Sequence, residues 1–65
     1  MANNYYDEIT ILKDENLYAT TPKQLDIIIQ KCAQLIPQIA NPRLQTTVLE
    51  VLKSATEKYI KIRAI

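Results

Sequence analysis

The side chains of this sequence that could do chemistry are one thiol and seven carboxylates: Cys32, and Asp7, Glu8, Asp14, Glu15, Asp26, Glu50 and Glu57. Paired carboxylates can act as general acid and base, and a thiolate can act as a nucleophile. A nucleophile also needs a base to activate it, and the chain has no histidine. Every Ser-His-Asp and Cys-His arrangement is therefore excluded. Glycine is absent as well, so neither GxGxxG nor GxxxxGK[ST] can cradle a phosphate. One cysteine and no histidine remove the zinc sets built from those residues. The carboxylates fall on turns and polar helix faces, where solvated charge is the simpler reading. We expect no catalytic residue, no cofactor and no metal, hence a protein that is not an enzyme.

The basic residues offer a different chemistry. Lys53, Lys58, Lys61 and Arg63 gather near the C-terminal end and could contact phosphates. The same cations would also complement a helix C-terminus or answer acidic residues elsewhere. Charge is indeed uneven along the chain. Residues 1–21 carry one lysine against four acids, a balance of −3. Residues 22–42 carry two lysines against one acid, +1, and residues 43–65 carry five cations against two acids, +3. The total is +1 and the isoelectric point about 7.8, well short of a basic nucleic-acid footprint.

Two elements that would position these groups announce themselves. Thr21-Pro22-Lys23-Gln24 reads as an N-cap, a proline at the first helical position and a capping-box glutamine. Asn41-Pro42 repeats the cap-plus-proline signature. The first of these helices, about 22–36, places Leu25, Ile28, Cys32, Leu35 and Ile39 at steps of three and four, an unbroken apolar seam. Ile27 is out of phase and needs a contact of its own. Pro37 predicts an end or a kink near Ile36. The second helix, about 42–62, carries Leu44, Val48, Val51, Leu52, Ala55, Tyr59 and Ile62 on one face. Leu49 and Ile60 widen that face to roughly half the circumference, more than a single helix neighbour uses. Lys53 to Glu57 and Glu57 to Lys61 are helical i,i+4 pairs of opposite charge.

The N-terminal segment, residues 1–20, has two readings. Glu8-Ile9-Thr10-Ile11-Leu12-Lys13 is rich in β-branched residues and favours an extended strand, with Asp14-Glu15-Asn16 as a turn and Leu17-Tyr18-Ala19-Thr20 returning as a hairpin. The rival is a short helix capped by Asn4, with Tyr5, Ile9 and Leu12 on one side and Asp7 and Glu8 in its first turn. Tyr5, Tyr6 and Tyr18 cluster in this third of the chain, and tyrosine suits interfaces because it pairs a large apolar ring with a polar tip.

Length decides what these elements need. Ordering 65 residues costs roughly 1.5 kcal/mol each, about 100 kcal/mol in all. A core this small barely offsets that cost, and a lone cysteine cannot close an intrachain disulfide. That leaves very efficient helix packing or association with another chain, and we favour the second. We therefore expect a single mainly α domain over residues 1–65: an antiparallel helical hairpin (21–65) with an extended N-terminal segment, dimerising into a four-helix bundle. Its core and dimer seam would comprise Leu25, Ile28, Cys32, Leu35, Leu44, Val48, Val51, Leu52, Ala55 and Tyr59. Its partner-binding surface would comprise Tyr5, Tyr6, Ile27, Leu49 and Ile60. The expected function is binding and regulating another protein through an apolar helical face. No signal-peptide pattern and no apolar run of about 20 residues is present, which points to a cytoplasmic protein without a membrane partner.

A strand followed by two helices, in a short chain that dimerises, resembles the ribbon-helix-helix DNA-binding class over residues 8–62. That resemblance implies a small dimeric regulator, with Lys53, Lys58, Lys61 and Arg63 available to phosphates.

Overall fold

A computed structural model of the chain describes residues 5–64. It is mainly α. The helices are α1 (Tyr5–Tyr18), α2 (Pro22–Leu35) and α3 (Pro42–Arg63), and a short 3-10 turn, Ile36–Gln38, follows α2. No strand occurs among the described residues.

The strand favoured for residues 8–13 is thus corrected: these residues lie within α1. The β-branched side chains there are weak helix formers, but packing overrides propensity when one helical face can be buried. Ile9 and Leu12 turn inward and are buried, while Thr10 bonds its hydroxyl back to the Tyr6 carbonyl at 2.9 Å. Asp7 and Glu8 sit in the first turn, where the helix dipole favours carboxylates. Asn4, the cap of the helical reading, lies outside the described residues. The strand that carried the likeness to ribbon-helix-helix proteins is absent.

Both predicted helix starts form as read. Thr21 is extended, accepts a hydrogen bond on its hydroxyl from the Gln24 backbone N–H at 3.2 Å, and donates its own backbone N–H to Gln24 Oε1. Asn41 Oδ1 accepts from the Arg43 N–H at 2.9 Å. Pro37 ends α2: the α-helix stops at Leu35, and the chain tightens into the 3-10 turn before Ile39 becomes extended. Ile39 is buried beneath this turn, and Gln45 ties its carbonyl to the first turns of α3.

The core runs the length of the molecule, which measures 44 × 16 × 15 Å. Leu25, Ile28, Cys32 and Leu35 of α2 meet Val48, Val51 and Ala55 of α3, and Ile9 and Leu12 of α1 close the third side. Leu44, Leu52 and Tyr59, assigned to the seam from sequence, are half-buried at its margin. At one end Tyr5 Oη donates to Gln38 Oε1 at 3.3 Å. Toward the other end Glu15 and Lys31 approach at 3.9 Å, so α1 and α2 run in opposite directions. No helix among the described residues is long and apolar enough to cross a membrane.

Candidate functional site

Seven large apolar side chains are exposed among the described residues: Tyr6, Ile11, Leu17, Tyr18, Ile27, Leu49 and Ile60. Isolated exposed apolar residues are ordinary, so their grouping is what carries meaning. They fall into distinct places.

The first place is the groove between α1 and α2, an open depression of 490 Å³. Leu12 and Leu35 form its floor, Ile11 stands at its wall, and Glu8, Glu15, Lys31, Gln34 and Gln38 form a polar rim. Periodicity explains the lining. Glu8, Ile11 and Glu15 recur at three and four residues on α1, as Lys31, Gln34 and Gln38 do on α2 and the turn after it. The second place, smaller, is the notch where α1 hands over to α2. Ile27 lines it together with Tyr18, Ala19 and Gln24. The out-of-phase Ile27 thus faces the end of the N-terminal segment across an open notch and stays 45% exposed.

The third place is the outer face of α3. Leu49, Lys53, Thr56 and Ile60 follow one another at steps of four, three and four, so they share a stripe along the helix. Leu49 is 49% exposed and Ile60 60% exposed. Glu50, Glu57 and Lys61 border this stripe and are exposed. Neither Lys53–Glu57 nor Glu57–Lys61 closes an ion pair within 4.0 Å, contrary to the i,i+4 expectation; Lys31–Glu15 is the side-chain pair that does among the described residues.

The structure therefore places Leu49 and Ile60 on one face of α3, about three turns apart, while Ile27 lines the notch with Tyr18. Tyr6 is exposed on α1, whereas Tyr5 is half-buried against the core. Ile11 and Leu17 were missed as surface residues because a strand reading assigns them no helical face. Read at 100° per residue, Ile11 and Tyr18 fall seven positions apart on one side of a helix, which is the signal that would have found Ile11; Leu17 lies on another face and carries no such signal.

The four basic residues do not form a patch. Taken at 100° per residue, Lys53, Lys58, Lys61 and Arg63 spread around α3 instead of sharing a face. Lys58 is turned inward: its ammonium donates to the Asn16 carbonyl and, at 3.4 Å, to that of Leu17. These carbonyls belong to the last turn of α1, which has no basic residue of its own. Arg63 stacks its guanidinium over the Tyr59 ring, 5.8 Å from the centroid.

Cys32 is a free thiol with no exposed surface. Burial raises its pKa above the usual value of 9.0, so it stays protonated at neutral pH. Asn16, unremarked in the sequence, is buried between α1 and α3. It donates to Ser54 Oγ at 3.1 Å, while its own Oδ1 lacks a partner.

Comparison with family models, with curated proteins and with solved structures returns no match.

Proposed function

We propose that the chain is a helical protein-binding module that acts by covering an apolar face of its helices with another protein chain. On this reading α2 and α3 form an antiparallel hairpin and α1 lies along it as the third helix. The observation that carries the proposal is the α3 stripe. Leu49 and Ile60 remain about half exposed or more although α3 already gives Val48, Val51 and Ala55 to the core. A helix that needed only intramolecular partners would carry polar side chains at those positions. A chain this short also gains most from an added interface.

Binding also accounts for the chemistry. The thiol is buried and protonated, and the carboxylates of α1 rim an open groove in which Lys31 reaches Glu15. These features fit recognition better than turnover. Binding to nucleic acid gains no support from the cations, because Lys58 serves the end of α1 and Arg63 serves Tyr59.

The test is site-specific photo-crosslinking in the producing cell. A photoreactive residue at Leu49 or Ile60 should give one discrete protein adduct, whereas the same residue at exposed Gln30 should give none. Equal labelling at all three positions would overturn the proposal.

A further inference from the structure

We infer that the partner of the α3 stripe is α3 of a second copy, packed antiparallel about a two-fold axis passing level with Ser54 and Ala55. The inference rests on the reading of the stripe as a docking face and names its occupant.

The argument begins with apolar register. In an antiparallel pair about that axis, each residue meets the one whose number completes a constant sum. Leu49 then meets Ile60 of the second copy, and Ile60 meets Leu49. Such an interface is isologous, so one patch serves both chains. Thr56 meets Lys53, whose long aliphatic stem can lie across the seam while its ammonium reaches the edge.

The charges along that edge select this arrangement. Glu50, Lys53, Glu57 and Lys61 alternate acid, base, acid, base. Reversed, the order reads base, acid, base, acid. About the same axis an antiparallel copy brings Lys61 within two positions of register with Glu50, and Glu57 within one position of register with Lys53, twice each along the edge beside the Leu49–Ile60 contacts. A parallel copy in register sets Lys53 against Lys53 within the stripe, which is unfavourable. The pattern is thus self-complementary in one direction. Lys53 and Glu57 also leave their charges uncommitted by any ion pair within their own helix. A net charge of +1 gives no long-range repulsion to oppose the association.

The test uses purified full-length chain in sedimentation equilibrium from micromolar to millimolar concentration, with helicity followed by circular dichroism. The unaltered chain should dimerise. Lys53→Glu produces a chain with two acids facing two acids across the axis, and Glu57→Lys one with two bases facing two bases. Each should weaken self-association by about tenfold or more, the size expected from replacing two attractive contacts with two repulsive ones. An equimolar mixture of the two variants should recover association as a heterodimer at least as tight as the unaltered pair. The mixture separates this geometry from any effect of the intrahelical Lys53–Glu57 spacing, because neither variant chain regains that spacing on mixing.

A monomer at millimolar concentration overturns the inference. So does a dimer that ignores both substitutions, or a mixture no tighter than its components. The wider protein-binding proposal would still stand if Leu49 cross-links a different protein, so the two failures are distinguishable.

Discussion

The side-chain amide of Asn16 donates to Ser54 Oγ at 3.1 Å across 38 positions of sequence and pins α1 to α3. Asn16 is otherwise surrounded by core, and its Oδ1 is buried without a partner. An unsatisfied buried acceptor costs about 1–3 kcal/mol, so this pin orients α1 at the expense of stability. Ser54→Ala should destabilise the fold by about 1 kcal/mol, because it strands the amide donor as well. Replacing both partners with apolar groups, Asn16→Leu with Ser54→Ala, should bring stability back to or above the starting value. Urea unfolding at fixed protein concentration checks both. A double variant less stable than Ser54→Ala alone would show that the pair is a net contributor.

Lys58 gives a second prediction. Its ammonium supplies the positive charge that the last turn of α1 lacks. Lys58→Met keeps the stem and removes the charge, and should cost about 1 kcal/mol. Lys23→Met, at an exposed position of α2 outside the α3 stripe, should change the stability of the fold by less than about 0.5 kcal/mol. Amide exchange then locates the effect: protection should fall at residues 15–18 in Lys58→Met, before it falls in α3. Equal costs for the two substitutions would mean that the contact to α1 contributes nothing.

Much of this architecture is legible in the sequence, and the illegible part has a physical cause. Thr21-Pro22 and Asn41-Pro42 mark helix starts by local chemistry, so they require no knowledge of the fold. The seam from Leu25 to Ile39 is legible because its helical period is strict, and all five residues are buried. Pro37 likewise ends α2 by steric necessity. α1 is different. Its apolar residues point both ways, Ile9 and Leu12 inward and Ile11, Leu17 and Tyr18 outward. A helical period does join Tyr5, Ile9 and Leu12, but apolar residues on the other faces dilute it, so β-branched composition dominates a local reading. Only the surface offered by α2 and α3 decides which face is buried. Asn16 is illegible for the same reason, since polarity predicts exposure and its burial follows from α1 being a helix. The widened face bearing Leu49 and Ile60, in contrast, can be read from sequence, because both lie just beyond the arc that one neighbour covers.

The caps supply a third prediction, with an internal comparison. At α2, Thr21 and Gln24 satisfy donors reciprocally, and Gln24 Oε1 accepts from the N–H groups of both Thr20 and Thr21. At α3, Asn41 satisfies the Arg43 N–H alone. Thr21→Ala should cost about 1 kcal/mol by loss of the cap. Gln24→Ala should add a further loss of similar size, because it frees two donors just before the helix. The two losses should be less than additive, since each residue holds the other in place. A double-mutant cycle read by thermal unfolding measures that coupling, and full additivity would dissolve the box into two separate contacts.

Ile28 and Val51 test the core itself. Both are buried, one on each of the two helices that carry the seam. Ile28→Asp or Val51→Asp places an unpaired carboxylate among apolar side chains, and each should cost more than about 3 kcal/mol. In a chain of this size that exceeds most of the available stability, so loss of the far-ultraviolet helical signal is expected at room temperature. Ile27→Asp, one residue away but 45% exposed, should leave the helical signal intact. A folded Val51→Asp protein would require α3 to be rotated from the orientation described.

Cys32 makes the final prediction, through pH. The thiol is fully enclosed, and burial raises its pKa above 9.0 because the thiolate would lose its hydration. The linkage has a definite sign. Below the pKa of the unfolded chain both states hold the proton, and the folded state keeps the full benefit of a neutral buried thiol. As pH rises past that value the unfolded chain releases its proton while the folded chain retains it. Stability therefore falls until the folded thiol also ionises. Cys32→Ala removes this dependence and leaves only a small cavity, worth about 1 kcal/mol at neutral pH. The gap in unfolding free energy between the original chain and Cys32→Ala should be widest at neutral pH and narrow as pH rises toward about 10. Urea unfolding of both chains in parallel at the two pH values isolates the thiol, because every other titrating group is common to them. A gap that stays constant would mean that solvent reaches Cys32 in the folded chain. Rapid alkylation of the native thiol at neutral pH would independently reveal that access.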